Sequence, residues 1–389
     1  MAITNICGFE TGAGGTADNE TTLVGAAATI QTTTKRTGDY ALKILPVTTG
    51  TAYANNVYCS HLATGDTDAS TGIATAYWRF YVNFAALPTA AEPIFRSVNT
   101  AVIFKFELRI NQNGNLSAHD ALLSALGTGS TVLTTGTWYR IEVKIATGAS
   151  AAWEVKINGT SELSGSTADL TTGNNRNATF GKQINRNGSG YEAYYDDIAC
   201  SDSAYPGAGA IQCIRPDGNG NYTAWAGVYT DVDDLVGGTG NDGDTTKWTS
   251  STTTQAETAT LESCATRGIS GTINAVKTIT VVKRTSGSAT NIKHRLRVTS
   301  PGTADTDLTD YATTASFVLL ASVRTVNPSG GAAWATAGVD SLEVGVVHNQ
   351  AQARQADCTM VCAMVDYTVA LASEIFNPMF QRTPRTLRI

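Results

Sequence analysis

Residues 138–145 alternate with a period of two. Trp138, Arg140, Glu142 and Lys144 fall on one face, and Tyr139, Ile141, Val143 and Ile145 on the other. The pattern predicts a strand with one wet and one dry side. Short runs of the same kind recur at 40–44, 76–84, 102–110 and 153–157, separated by turn residues. Asn158-Gly159 follows Ile157 directly, and an Asn-Gly pair readily takes the positive φ values of a tight hairpin. Asn113-Gly114 gives the same signal after Ile110, so the first half is expected to be successive antiparallel strands. The stretch 118–126 is the only short helix candidate in it.

After the last run of this half, Ser201 to Gly209 contains Pro206-Gly207 and small residues, the composition of a linker. The boundary is placed near Pro206. Beyond it, Asp217-Gly218-Asn219-Gly220 and Asn241-Asp242-Gly243-Asp244 read as turns. Strand patterns rich in Val, Ile and Thr then resume at 273–282, 294–298, 316–323, 342–347 and 359–369. The expected fold class is all-β: two antiparallel β-sandwich or jelly-roll domains in tandem, 1–205 and 206–373, plus a short C-terminal tail, 374–389. No repeat of fixed period points to a solenoid or propeller.

Composition narrows the function classes. A chain of 389 residues exceeds what one core usually supports, which agrees with two domains. Charged residues make up 15% of it and the net charge is −6, so direct nucleic-acid binding, which needs clustered Lys and Arg, is not expected. No eighteen apolar residues run together, and the N-terminus carries no basic segment leading into an apolar one, so neither a membrane span nor a signal peptide is expected. Seven cysteines are scattered without zinc-site spacing and are expected to be small core residues. Cys358 and Cys362, four apart on a strand, would share a face. A bridge between Cys200 and Cys213 across the linker is the one disulfide the spacing brings to mind.

Five pieces of the first half occur in a telling order: Gly8-Phe9-Glu10-Thr11-Gly12, Gly38-Asp39-Tyr40-Ala41-Leu42, Thr137-Trp138-Tyr139-Arg140-Ile141-Glu142-Val143, Lys156-Ile157-Asn158-Gly159 and Tyr194-Tyr195-Asp196-Asp197-Ile198. With them, nearly all of residues 1–205 resembles the concanavalin A-like, laminin-G-like jelly rolls. Such a domain followed by Arg215-Pro216-Asp217-Gly218-Asn219-Gly220-Asn221-Tyr222 and then Asn241-Asp242-Gly243-Asp244-Thr245-Thr246 resembles a group of tailed-bacteriophage virion proteins. That resemblance implies a structural protein of the virion, foremost a capsid decoration or cement protein, made in the host cytoplasm without a signal peptide. Its partners would be the major capsid or tail protein and further copies of itself. The alternative is a tail- or fibre-associated carbohydrate-binding adhesin that recognises a host-surface glycan.

Candidate chemistry is sparse. Concanavalin A-like glycosidases carry a Glu-x-Asp-x-x-Glu strand, and this chain has none; Glu142 and Glu154 stand singly among Lys and Arg. His61, His119, His294 and His348 lie far apart, and His294, among Lys293, Arg295 and Arg297, reads as a strand-surface residue. No catalytic residue is assigned, and the chain is expected not to be an enzyme. In many carbohydrate-binding jelly rolls a Glu near the start and an Asp on the final strand hold a structural calcium, and the resemblance places Glu10 and Asp197 there. Read by themselves, Glu10 caps a turn and Asp196 and Asp197 end a strand in solvent. Trp78, Tyr191, Tyr194 and Trp225 are the rings available to stack on sugars, whereas the laminin-G-like resemblance places Trp138 in a packed strand. In the tail, apolar Ile375, Phe376, Met379 and Phe380 and basic Arg382, Arg385 and Arg388 are the candidate partner-binding residues.

Overall fold

The computed structural model describes residues 2–12, 21–47, 50–59, 72–101, 103–148, 150–167, 170, 173–182, 190–235, 245–285, 291–308, 311–349 and 355–368. Among them the chain forms four sheets, of eight, seven, five and six strands, and one α-helix, Thr336–Asp340. The fold is all-β, as the alternation predicts. The tail residues Ile375, Phe376, Met379, Phe380, Arg382, Arg385 and Arg388 lie outside the described residues, as do His61 and Asn241-Asp242-Gly243-Asp244.

The first sheet runs in the order Thr160–Thr167, Ala151–Ile157, Trp138–Ala146, Thr75–Ala86, Glu192–Ser201, Ala41–Ile44, Ala28–Gln31, with Ile3–Cys7 also paired to Glu192–Ser201. The second runs Ala125–Thr128, Leu116–His119, Phe104–Ile110, Glu92–Asn99, Asn175–Lys182, Ala52–Tyr58, Thr22–Val24. Their inward faces meet in an aromatic core. Phe80 stacks on Phe95 with ring centroids 5.6 Å apart and meets Phe180 edge-on at 5.2 Å, and Trp78 lies against both Phe95 and Phe180. Offset and edge-on geometries match the ring quadrupoles, so these pairs add to the burial of large apolar surfaces. Asn158 at φ 52° and Gly159 at φ 91° form the predicted hairpin between Ala151–Ile157 and Thr160–Thr167.

The third sheet runs Ala210–Ile214, Ala356–Thr368, Thr272–Arg284, Val318–Arg324, with Trp248–Ser250 also on Ala356–Thr368. The fourth runs Pro216–Thr223, Ala256–Leu261, Leu342–His348, Asn291–Val298, Ala304–Asp307, with Tyr311–Ala312 also on Asn291–Val298. One face of the third sheet, with Val276, Leu320, Ala363 and Val365, packs into a core with Leu296, Val344 and Val346 of the fourth. Its other face, with Ile279, Val281, Met360 and Met364, belongs to the same continuous core as Ile6, Phe9 and Trp78 of the first sandwich. A sheet covered on both sides has no wet face. This is why Ala356–Thr368 is buried at nearly every position, with Thr359 and Thr368 as exceptions.

Several local expectations change. Residues 118–126 form no helix: Leu116–His119 turns into Ala125–Thr128 as a hairpin. The Asp120 carboxylate caps that turn by accepting the amides of Leu122 and Ser124, both at 2.9 Å. Asp217-Gly218-Asn219-Gly220 is part of the strand Pro216–Thr223, where glycine permits close approach: a Cβ on Gly220 would stand 2.3 Å from Thr258 Oγ1. His294 is buried, its ring held between Thr278 Oγ1 at 2.7 Å and Thr280 Oγ1 at 2.9 Å, so it is not a surface residue. A register shift beside Thr359 breaks the period of two, and Cys358 and Cys362 end in different cores, on opposite faces of the third sheet.

The segment between the sandwiches is strapped down. Tyr205 donates its hydroxyl to Glu154 Oε2 at 2.7 Å, lies under Lys156 Nζ and meets Tyr77 edge-on. The Gly207 amide bonds Glu142 Oε1 at 2.9 Å, which buries Glu142 on the side of its strand that alternation reads as wet. A Cβ on Gly209 would stand 2.1 Å from Arg79 Nη1, so only glycine lets the chain pass there.

Candidate functional site

Two groups of functional side chains emerge, one at the junction of the sandwiches and one on the outer face of the second sheet. At the junction, the resemblance places a calcium ion on Glu10 and Asp197, and the donor chemistry there tests it. Both side chains are fully buried, as is Asp196, so none of the three ends a strand in solvent. Glu10 Oε2 accepts the Asp39 amide at 2.9 Å, and Oε1 the amides of Asp39 and Tyr40 at 3.1 and 3.4 Å. Asp197 Oδ1 accepts the Thr37 hydroxyl at 2.5 Å and the Ile211 amide at 2.6 Å, while Oδ2 takes the Arg36 guanidinium at 2.5 Å. Asp196 Oδ2 accepts the amides of Arg36 and Thr37, and Oδ1 that of Asp197.

These carboxylate oxygens face N–H and O–H donors, and a cation needs lone pairs. Among the described residues no three His, Cys, Asp or Glu side chains gather as a metal site. The residues present do not fit calcium. They instead join the two sandwiches: Arg36 also donates to Gly209 O at 2.8 Å, and Ile211 lies in the first strand of the second sandwich. Burial pushes the carboxyls of Glu10 and Asp196 well above the usual range.

The same junction holds a fully buried ion pair, Arg79 Nη2 to Asp366 Oδ1 at 3.2 Å, with Arg79 Nε donating to Asp197 O at 3.1 Å. Lys277, also fully buried, donates to Ile6 O at 3.0 Å and Asn5 Oδ1 at 3.3 Å.

The second group sits on four adjacent strands. Strand register sets His119 opposite Glu107, Glu107 opposite Arg96, and Arg96 opposite Thr179, which lines these side chains up in one row on the face turned away from the core. Arg109 and Ser117, also paired, stand in the next row. Glu107 is the hub. Arg96 Nε donates to its Oε2 at 2.6 Å, and Arg109 Nε donates to its Oε1. His119 Nε2 lies 3.3 Å from Ser117 Oγ, and Ser117 donates to Asn111 Oδ1 at 3.3 Å. Glu107 is 0% exposed, Arg109 7% and His119 8%, although they lie outside the hydrophobic core. Asn111 in turn lines a shallow open pocket of about 430 Å³ with Thr89, Ala90, Ala91, Gln112 and Asn113. Glu107 is taken up by the two guanidiniums, so the row orients Asn111 from beneath through Ser117, and Asn111 with Gln112 and Asn113 supplies the amide groups that line the pocket.

Sequence reasoning missed this row. Each residue is an isolated polar position, and only cross-strand register brings them together; the one available signal was the alternation of Glu107 and Arg109 with Phe106, Leu108 and Ile110. Of the proposed stacking rings, Trp78, Tyr191 and Trp225 are buried and Tyr194 is half-buried. Trp138 is half-buried too, and Trp153 rather than Trp138 is the tryptophan of that sheet in the core beside Trp78. Cys200 and Cys213 form no disulfide: all seven cysteines are free, and Cys200 has Cys59 as its neighbour while Cys213 has Cys362.

No protein-family model matches the sequence, and no curated protein does. Similar solved structures include a cellulose-induced protein, 13% identical over 52% of this chain and 99% of its own, with a TM-score of 0.41. Another is the endo-β-1,4-glucuronan lyase of Trichoderma reesei, 10% identical over 52% of this chain and 96% of its own, TM-score 0.36. A Trypanosoma rangeli sialidase is 11% identical over 45% of this chain and 27% of its own, TM-score 0.32. The expectation that the chain is not an enzyme is therefore withdrawn. A lyase and a sialidase stand among its structural neighbours. At these identities and scores neither activity nor substrate passes to this chain.

Proposed function

We propose that the chain is a structural protein of a tailed-bacteriophage virion, a decoration or cement protein of the capsid, whose two sandwiches act as one strut. The observation that supports this reading is the shared core, in which a sheet buried on both faces is locked to the first sandwich by Arg79–Asp366 and Lys277. A protein that bridges neighbouring shell subunits works only if its parts do not hinge, and interfaces between domains ordinarily permit relative motion unless they are large and apolar. Its partners are the major capsid or tail protein and further copies of itself. A cryo-electron microscopy map of the purified particle tests this: density over the capsid lattice supports it, and absence of the chain from the particle overturns it.

A second reading, glycan recognition by a tail- or fibre-associated adhesin, is favoured by the polar row and the shallow pocket beside it. Saturable binding on a glycan array, lost in Asn111→Ala and kept in Arg297→Ala, would support it. Binding unaffected by Asn111→Ala would move the ligand elsewhere.

A further inference from the structure

The seven cysteines are all buried free thiols, and four of them neighbour one another in two pairs. The pairs differ in geometry. Cys213 lies on Ala210–Ile214 directly opposite Met364 of Ala356–Thr368, so its sulfur partner Cys362 is a diagonal neighbour two residues along the adjacent strand. Diagonal positions lie roughly 7–8 Å apart, beyond the roughly 4.4–6.8 Å between Cα atoms that a disulfide spans. Cys59 and Cys200 come from different sheets. Cys59 follows the end of Ala52–Tyr58 in the second sheet, anchored by its amide to Arg176 O at 2.7 Å. Cys200 lies in Glu192–Ser201 of the first, opposite core residue Trp78. The Thr4 hydroxyl lies within hydrogen-bond reach of the carbonyl oxygens of both, which places the two backbones around one side chain.

We propose that Cys59 and Cys200 form an inter-sheet disulfide when the protein meets a small-molecule disulfide such as oxidised glutathione, while Cys213 and Cys362 remain thiols. In the step, the Cys59 thiolate attacks one sulfur of the small disulfide and expels a thiolate. The Cys200 thiolate then displaces the second thiol from the mixed disulfide. Two protein thiols lose two protons and two electrons, and the small disulfide is reduced to two thiols. Burial pushes the Cys59 thiol up, so attack begins in a transiently opened chain; nearby Lys105, whose ammonium favours the thiolate, works in the other direction. Once formed, the bond closes a loop of about 140 residues and clamps the two sheets across the core.

The test uses the full chain, purified reduced and then incubated with oxidised glutathione, followed by alkylation in denaturant and mass spectrometry. The expected result is that five of the seven cysteines take the alkylating group, a linked peptide joins Cys59 to Cys200, and the melting temperature rises by about 5 °C over the reduced protein. Cys59→Ala, treated alike, should keep six alkylated cysteines and show no rise. Seven alkylated cysteines after oxidation, both in the folded protein and in protein refolded with oxidised glutathione present, would overturn the proposal. So would a linked peptide joining Cys213 to Cys362.

Discussion

Two rows of paired charges lie on the outer faces of two different sheets, and they differ in what covers them. In the first sandwich Glu107 sits between Arg96 and Arg109 with no exposed surface. In the second, Arg295 and Arg297 reach across to Asp307 and Asp305 with side chains 14% to 33% exposed. Tyr222 joins that row, donating to Asp305 Oδ2 at 2.6 Å beneath both guanidiniums. Residue types and cross-strand pairing are alike. Burial makes the first row costly to disturb and leaves the second an ordinary solvated ladder.

Glu107→Gln is expected to have the largest effect. It removes the charge that two guanidiniums share in a buried setting, and the expected cost is about 3–5 kcal/mol in urea unfolding of the full chain. A loss under 1 kcal/mol would mean that water reaches the row and that the two faces are equivalent. The junction offers a parallel case. Arg79→Leu strands Asp366 and is expected to cost about 4 kcal/mol, and to divide one unfolding transition into two as the sandwiches uncouple.

The strand that carries Arg295 and Arg297 outward carries His294 inward, and that allows a sharper test. Burial, with Arg324 nearby, pulls the His294 imidazole down to about 3. The unfolded imidazole binds its proton near 6.5. Between those values the unfolded chain binds more protons, so stability present above about pH 6.5 is lost as pH falls toward about 3, at up to roughly 1.4 kcal/mol per pH unit. Glu10 and Asp196 act in the opposite sense, since their raised values preserve stability at low pH and lose it as pH rises. The difference between wild type and His294→Gln isolates the histidine: about 3 kcal/mol less acid destabilisation in the variant at pH 4. Parallel profiles for the two proteins would place the imidazole in contact with water.

These contrasts also show what the sequence made legible. Strands with one apolar side stood out, because Ile141, Val143 and Ile145 alternate cleanly, and hairpins stood out where Asn-Gly permits positive φ. What failed were features set by neighbours distant in the chain. His294 and Arg295 stand side by side in a basic run, and only the pairing of Asn291–Val298 with Leu342–His348 decides which is buried. Glu142 reads as wet because nothing local announces that Gly207 will lie on it. Glu10 and Asp197 were placed together by resemblance alone; the resemblance did not carry Arg36, whose guanidinium pairs with Asp197. The polar row was hidden for the same reason, since Arg96, Glu107 and His119 meet only through register.

The smallest effect is expected on the exposed row. Arg297 bonds Asp305 Oδ1 at 2.9 Å and lies 3.6 Å from Glu343 Oε1, so Arg297→Ala removes two ion pairs and the packing of its stem on Tyr222. Because water screens these groups and holding long side chains in place costs entropy, the expected loss is about 0.5–1 kcal/mol. It should shrink further in 1 M salt, where the screening length falls to about 3 Å, whereas the effect of Glu107→Gln should hardly move. Measuring both variants by urea unfolding at low and high salt turns the contrast into one interaction term. An Arg297→Ala cost above about 2 kcal/mol that ignored salt would show that the second row, too, is shielded, and would make it a candidate binding face equal to the first.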